Sequence, residues 1–164
     1  TGLNFPDALS VGPMAYAKHF PVLLTDPSTL SPETATALTN LHIQEVLVPG
    51  GDQAVSNSVV SAIEALNPTI VVDEFAPGVD RYETSADVAS FEINNLGFSA
   101  SSVLLARGDE FPDALAGGPL GGVNTEPIVL TSPSSLPQAT SNFLASEASS
   151  LTSITALGLS LIHI

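Results

Sequence analysis

Phe5-Pro6-Asp7-Ala8-Leu9 recurs as Phe111-Pro112-Asp113-Ala114-Leu115. Each copy places a carboxylate directly after a proline. Proline is preset for the first turn of a helix, and an acid there faces the positive end of the helix dipole. Asp7 and Asp113 can therefore cap helices, or they can meet a ligand at the edge of a sheet. Between the copies stands Asp80-Arg81-Tyr82-Glu83-Thr84. The Arg81 guanidinium can fork onto a carboxylate or a phosphate. Tyr82 can stack on a sugar or pack inward. Glu83 and Thr84 are polar residues of a first helical turn. Arg107 precedes the second copy where Thr1 precedes the first. Asp7, Asp113, Arg81, Tyr82, Glu83, Thr84 and Arg107 are thus the candidate ligand-contacting residues. With only 3 Lys and Arg against 17 acids, Arg81 is expected to be partly buried and paired with Asp7 or Asp113.

Other chemistries lack their residues. Without cysteine there is no disulfide, thiol nucleophile or thiolate metal site. His19 and His42 have no metal-ligand spacing to each other or to an acid cluster. Asp109, Glu110 and Asp113 offer hard oxygens but not the spacing of an EF-hand. Gly50-Gly51 is neither a dinucleotide fingerprint nor a phosphate loop, and reads as a tight turn. No Ser–His–Asp set, catalytic carboxylate pair or cofactor fingerprint stands out. The chain is expected to be no enzyme, with no cofactor and no metal. A net charge of −14 argues against nucleic acid and against an anionic membrane surface. No apolar run approaches the roughly 20 residues of a membrane span.

The elements that must position these residues alternate. Pro21–Thr25, Glu45–Pro49, Thr69–Asp73, Ser102–Ala106, Pro127–Thr131 and Ser153–Leu157 are short β-branched or Leu-rich runs, read as buried parallel strands. Val55, Val59, Val60, Ile63 and Leu66 share one side of a helix. Ser31-Pro32-Glu33 has the form of an N-cap, a first-turn proline and an acid. Arg81 to Leu96 reads as a helix stopped by Gly97. Strand–helix alternation predicts an α/β fold with a parallel sheet.

The duplication extends beyond the motif. Subtracting 7 from 113 gives an offset of 106 residues, at which Gly12-Pro13 meets Gly118-Pro119, and Pro21 to Thr25 meets Pro127 to Thr131. Roughly 16 of the first 40 positions are identical without a gap, where chance gives two or three. The natural boundary is the Pro77-Gly78 stretch. It makes 1–79 the C-terminal part of one repeat and 80–158 most of a second. Leu159 to Ile164 (LSLIHI) break the pattern and match the translation of a sequencing adapter, so 159–164 are read as a scar rather than native protein.

Taken in order, Asp80-Arg81-Tyr82-Glu83-Thr84-Ser85-Ala86, the Phe-Pro-Asp-Ala-Leu copies, Pro127-Ile128-Val129-Leu130-Thr131 and Gly50-Gly51 with Ala54-Val55-Ser56 resemble the cell-wall-binding repeat 2 family of Gram-positive bacteria. The resemblance covers residues 1–158. It implies Rossmann-like or Toprim-like α/β repeats in tandem, commonly three, packed about a pseudo-threefold axis. It also implies an extracellular, cell-wall location and non-covalent anchoring of a secreted surface protein to anionic cell-wall polysaccharide or a teichoic-type polymer. The partners it implies are that polymer and other copies of the repeat. Two alternatives stay open: a purely structural repeat-assembly module, and an α/β domain binding a phosphorylated small ligand.

Overall fold

The computed structural model describes residues 1–158; the expected scar at 159–164 lies outside them. In chain order the elements are α1 (Pro6–Ser10), α2 (Gly12–Lys18), α3 (Pro32–Asn40), β1 (Glu45–Pro49), α4 (Asn57–Glu64), β2 (Val71–Phe75), α5 (Arg81–Leu96), β3 (Ser102–Arg107), α6 (Pro112–Asn124), β4 (Ile128–Thr131), α7 (Gln138–Ser146) and β5 (Ser153–Ala156). All paired strands are parallel. β1 pairs with β2, and β3 lies between β4 and β5. The chain is therefore the alternating α/β fold that the hydrophobic pattern predicts.

Local chemistry explains several of the helix ends. Pro6 and Pro112 open α1 and α6, each followed by its acid. Asp80 caps α5: its Oδ1 accepts the N–H groups of Tyr82 and Glu83, each at 2.9 Å. Gly97 ends that helix at φ 74°, a conformation that costs glycine least. Ser31 does occupy the N-cap of α3, but its hydroxyl makes no cap bond and instead accepts the Asp26 N–H. One strand is shifted by two residues, Val71–Phe75 rather than Thr69–Asp73, while β3, β4 and β5 each differ from expectation by one residue at one end.

A larger difference is Pro21–Thr25, which pairs with no strand among the described residues. Its counterpart β4 pairs with β3, and of β3 only Arg107 has a counterpart in this chain, Thr1. The surrounding bonds are nonetheless duplicated. Gly2 N–H donates to Thr25 O at 2.8 Å as Gly108 N–H does to Thr131 O at 2.9 Å. The Thr34 hydroxyl donates to Leu24 O as that of Thr140 does to Leu130 O. The Thr25 hydroxyl donates to Thr29 O as that of Thr131 does to Ser135 O.

The copies meet through glycine. α2 packs on α6, and a Cβ placed on Gly12 would lie 3.3 Å from the Gly118 Cα. Side chains at these two positions would hold the helices apart. Around this crossing the core falls into patches. One (Leu38, Val59, Ile63, Ile70) sits under β1 and β2. Another (Val103, Val129, Ala89, Phe143) lies between α5, α7 and the second sheet. A third joins Val11, Met14 and Phe75 to Val88 and Phe98 on and beyond α5.

Glu92 is buried beside this third patch. Its Oε1 accepts the Met14 N–H at 3.0 Å, and Oε2 has no partner among the described residues. Burial pushes the carboxyl up to about 9, so it is neutral in the fold at pH 7. The folded group thus holds its proton at pH values where the unfolded one, near 4.5, has lost it. Its stabilising contribution is complete below about pH 4.5 and is lost as pH rises through about 9.

Two outcomes follow. Denaturant midpoints should fall progressively from pH 5 to pH 9, and Glu92→Gln, which keeps an acceptor for Met14 without a titrating group, should flatten that slope. A variant slope equal to wild type would remove Glu92 as its source. Separately, Gly50→Ala should cost about 1–3 kcal/mol in chemical denaturation, since Gly50 has φ 90° and its new Cβ would stand 3.0 Å from Asp7 Oδ2.

Candidate functional site

The C-terminal ends of the parallel strands carry the loops where open α/β sheets bind ligands. β3 ends at Arg107 and runs through Gly108 into the second Phe-Pro-Asp-Ala-Leu copy, while β1 ends at Pro49 and turns at Gly50. The two motif copies come together there. Phe5 and Phe111 meet edge to face, ring centroids 5.9 Å apart at 64°. The phenylalanine of the motif thus packs between the two copies, the alternative that the duplicated motif offered to a ligand contact.

Arg81 completes the cluster. Its Nη1 donates to Gly108 O at 2.6 Å, and its guanidinium carbon lies 6.0 Å from the Phe5 ring centroid. The expected pairing of Arg81 with Asp7 or Asp113 is therefore corrected: within the described residues its close partner is a backbone carbonyl. The end of β3 brings that carbonyl to the start of α5, closer than either acid. Asp7 feels the arginine at longer range. Burial pushes the Asp7 carboxyl up, and Arg81 offsets part of that rise.

Tyr82 is half-buried against Leu104, Leu130 and the neighbouring core residues. Its ring lies so close to Gly108 that a Cβ there would come within 2.9 Å of Tyr82 Cε1. Gly108 thus serves two needs, offering a carbonyl to Arg81 and room for Tyr82. Glu83 secures the start of α5, its Oε2 accepting the Val79 N–H at 2.8 Å. Thr84 is buried, and its N–H bonds Asp80 O.

The remaining candidates lie on the flank. Arg107 forks onto Asp109, with Nε to Oδ1 at 3.0 Å and Nη2 to Oδ2 at 2.6 Å, and Glu110 stands 3.7 Å away. Hydrogen bonding to Asp109 raises Arg107 above its ordinary value, and the same bond lowers Asp109. Asp113 faces Gly158, with carboxylate oxygens filling the space a side chain there would need. Asp7 faces Gly50 in the same way. No group of three or more His, Cys, Asp or Glu that could hold a metal occurs among the described residues.

The structure thus gathers Phe5, Asp7, Arg81, Tyr82, Gly108 and Phe111 in one place and leaves Arg107 in an acidic clasp beside it. Such a surface offers aromatic faces for sugar rings. It also offers the guanidinium N–H groups that the Gly108 carbonyl does not occupy.

Comparison with known proteins identifies the family. The family model described as cell wall binding domain 2 matches residues 1–60 and 76–160. N-acetylmuramoyl-L-alanine amidase LytC of Bacillus subtilis (strain 168) is 34% identical over 143 residues, which are 87% of this chain and 27% of that protein. The amidase enhancer of the same organism is 30% identical over 133 residues, 81% of this chain and 18% of that protein. The chain therefore spans about a quarter or less of these relatives' length. Among solved structures, Cwp6 from Clostridium difficile superposes with a TM-score of 0.75 at 29% identity, over 90% of this chain and 24% of that one. Cwp8 from Clostridium difficile shares the fold with a TM-score of 0.77 at 21% identity, over 95% and 26%. Two matched stretches, the duplicated motif and the shared fold together make this chain a member of the cell wall binding domain 2 (CWB2) family.

Proposed function

We propose that the chain is an extracellular, non-covalent cell-wall-binding module that holds a secreted surface protein on an anionic cell-wall polymer, polysaccharide or teichoic-type. The observation that carries the proposal is the meeting of both Phe-Pro-Asp-Ala-Leu copies with Arg81 and Tyr82 at the C-terminal sheet edge, in a chain of this family. Polymer contact is assigned to Asp7, Arg81 and Tyr82, with Asp113 and Arg107 at the margin and Glu83 and Thr84 holding the helix start.

The overall charge of −14 opposes an anionic ligand. Attraction must therefore be local, and screening over about 8–10 Å at physiological ionic strength lets a nearby arginine outweigh distant acids. Arg107 is largely neutralised by Asp109 and Glu110, whereas Arg81 bonds a neutral carbonyl and keeps its charge for a ligand. Neutral sugar contacts to Phe5, Phe111 and Tyr82 would add affinity without charge.

Further copies of the repeat are the second class of partner. The boundary near Pro77-Gly78, with 1–79 and 80–158 as parts of successive repeats, is supported by the inter-copy packing of α2 on α6. A groove of about 610 Å³ runs beside these counterpart helices, lined by Gly12, Tyr16, Leu115, Gly118 and Pro119. A third equivalent helix laid there would give the pseudo-trimeric arrangement and cover Leu115 and Tyr16, both about half exposed.

Arg81→Ala separates binding from support. Loss of the charged bond to Gly108 should cost about 1.5–3 kcal/mol in denaturant unfolding. Co-sedimentation with purified cell walls, well below the melting temperature, should fall at least tenfold. Arg81→Lys, which keeps charge without the fork, should recover part of the binding. Unchanged sedimentation of folded Arg81→Ala would remove this residue from the polymer site and favour a structural assembly role.

A further inference from the structure

Two helix faces in this chain carry the same apolar pattern. By the offset of 106, Leu9, Met14 and Ala17 of the first copy stand where Leu115, Leu120 and Val123 stand in the second. The first face is covered by α5, which packs on α1 and whose Val88 shares a core patch with Val11 and Met14. Leu9 and Met14 are there 7% and 3% exposed. On the second face Leu115, Leu120 and Val123 are 59%, 44% and 66% exposed. Apolar burial is non-directional, so it does not by itself tell one face from the other.

One backbone N–H separates them. Met14 is the third residue of α2, in the first turn, where N–H groups have no acceptor inside the helix. Glu92 Oε1 supplies one at 3.0 Å. Its counterpart Leu120 is the ninth residue of α6, which runs unbroken from Pro112 to Asn124. The Leu120 N–H is therefore spent on the Ala116 carbonyl, one turn back. On α2 the acid of α5 finds a donor. Laid on α6 in the same register, it would be buried without one, and burying an unpaired polar group is costly. Apart from Met14 its surroundings offer nothing, since Oε2 has no partner among the described residues.

We propose that Glu92 is the pairing key of the seam between copies: it directs α5 to the divided helix α1–α2, which presents a free N–H, and bars it from the continuous helix α6. The inference rests on the reading of repeat copies as partners of one another, and not on polymer binding. A single buried polar group that fixes register gives up stability for specificity, as a buried asparagine does in helix pairing. The two faces thus select different helices although their apolar residues match. The face of α1 and α2 takes a helix with an acceptor at the Glu92 position, whereas α6 suits a helix with an apolar residue there.

The test titrates the full chain with three peptides of residues 80–97: the natural sequence, Glu92→Leu, and Asn95→Leu, which adds the same side chain at an exposed position. Glutamate and leucine are both strong helix formers, so peptide helicity does not set the order of the first two. Amide shifts at Leu115, Leu120 and Val123 report binding on α6. The Glu92→Leu peptide is expected to bind there at least tenfold more tightly than the other two. In the intact chain, Glu92→Leu should speed amide exchange at Met14 at least tenfold, and Glu92→Gln should not. Equal affinity of the Glu92→Leu peptide and either of the others would overturn the proposal. So would unchanged Met14 exchange in the folded Glu92→Leu chain. If that chain does not fold, the peptide series still decides. No shift with any peptide would overturn the proposal together with the reading of repeat copies as partners.

Discussion

The approach of two glycines organises the molecule. At Gly12 and Gly118 the backbones of α2 and α6 come nearly into contact, and no side chain fits between them. Because these positions are equivalent in the two copies, the crossing acts as a local symmetry element. It draws the two motif loops together and sets Phe5 against Phe111. Close backbone packing of this kind is intolerant of added volume, so the geometry of the site inherits the rigidity of the crossing. Gly121 and Gly122 extend the same surface, where Pro13 and Tyr16 occupy the space their side chains would need.

Where the copies diverge, the reason is packing. Gly117 leaves room for Leu157, whose methyl group would collide with any Cβ there. The first copy carries Val11 instead, which is buried with Met14, Phe75 and Val88. At that position the helix equivalent to α6 is divided into α1 and α2, and the Met14 N–H in the first turn of α2 bonds Glu92. The buried acid then ties the two halves through one hydrogen bond. It does so as a neutral group, because an uncompensated charge there would cost far more than the bond returns.

Electrostatics at the sheet edge follow a similar division. An acidic surface of this charge keeps the chain soluble but offers an anion little. The two arginines solve different problems. Arg107 clasps Asp109 and Glu110, whereas Arg81 is held by a carbonyl and an aromatic ring and stays unneutralised by any close acid within the described residues. Position within the fold, rather than residue type, separates a cation clasped by acids from one held by a carbonyl and a ring.

Much was legible without coordinates. Helix bounds such as Arg81–Leu96, strand identities such as Glu45–Pro49 and the duplication itself depend on local signals: caps, apolar period and repeated words. The parallel α/β character followed from them. What the amino-acid order could not decide was anything requiring a partner distant in the chain. Pro21–Thr25 has every local mark of a strand, yet a strand exists only when a neighbour accepts its hydrogen bonds. Arg81 was expected to seek an acid, but the end of β3 delivers a carbonyl first. Glu92 stands in helical register with buried Ser85, Val88 and Ala89, a pattern visible in the sequence. Its meaning emerges only when α2 brings a free N–H to meet it.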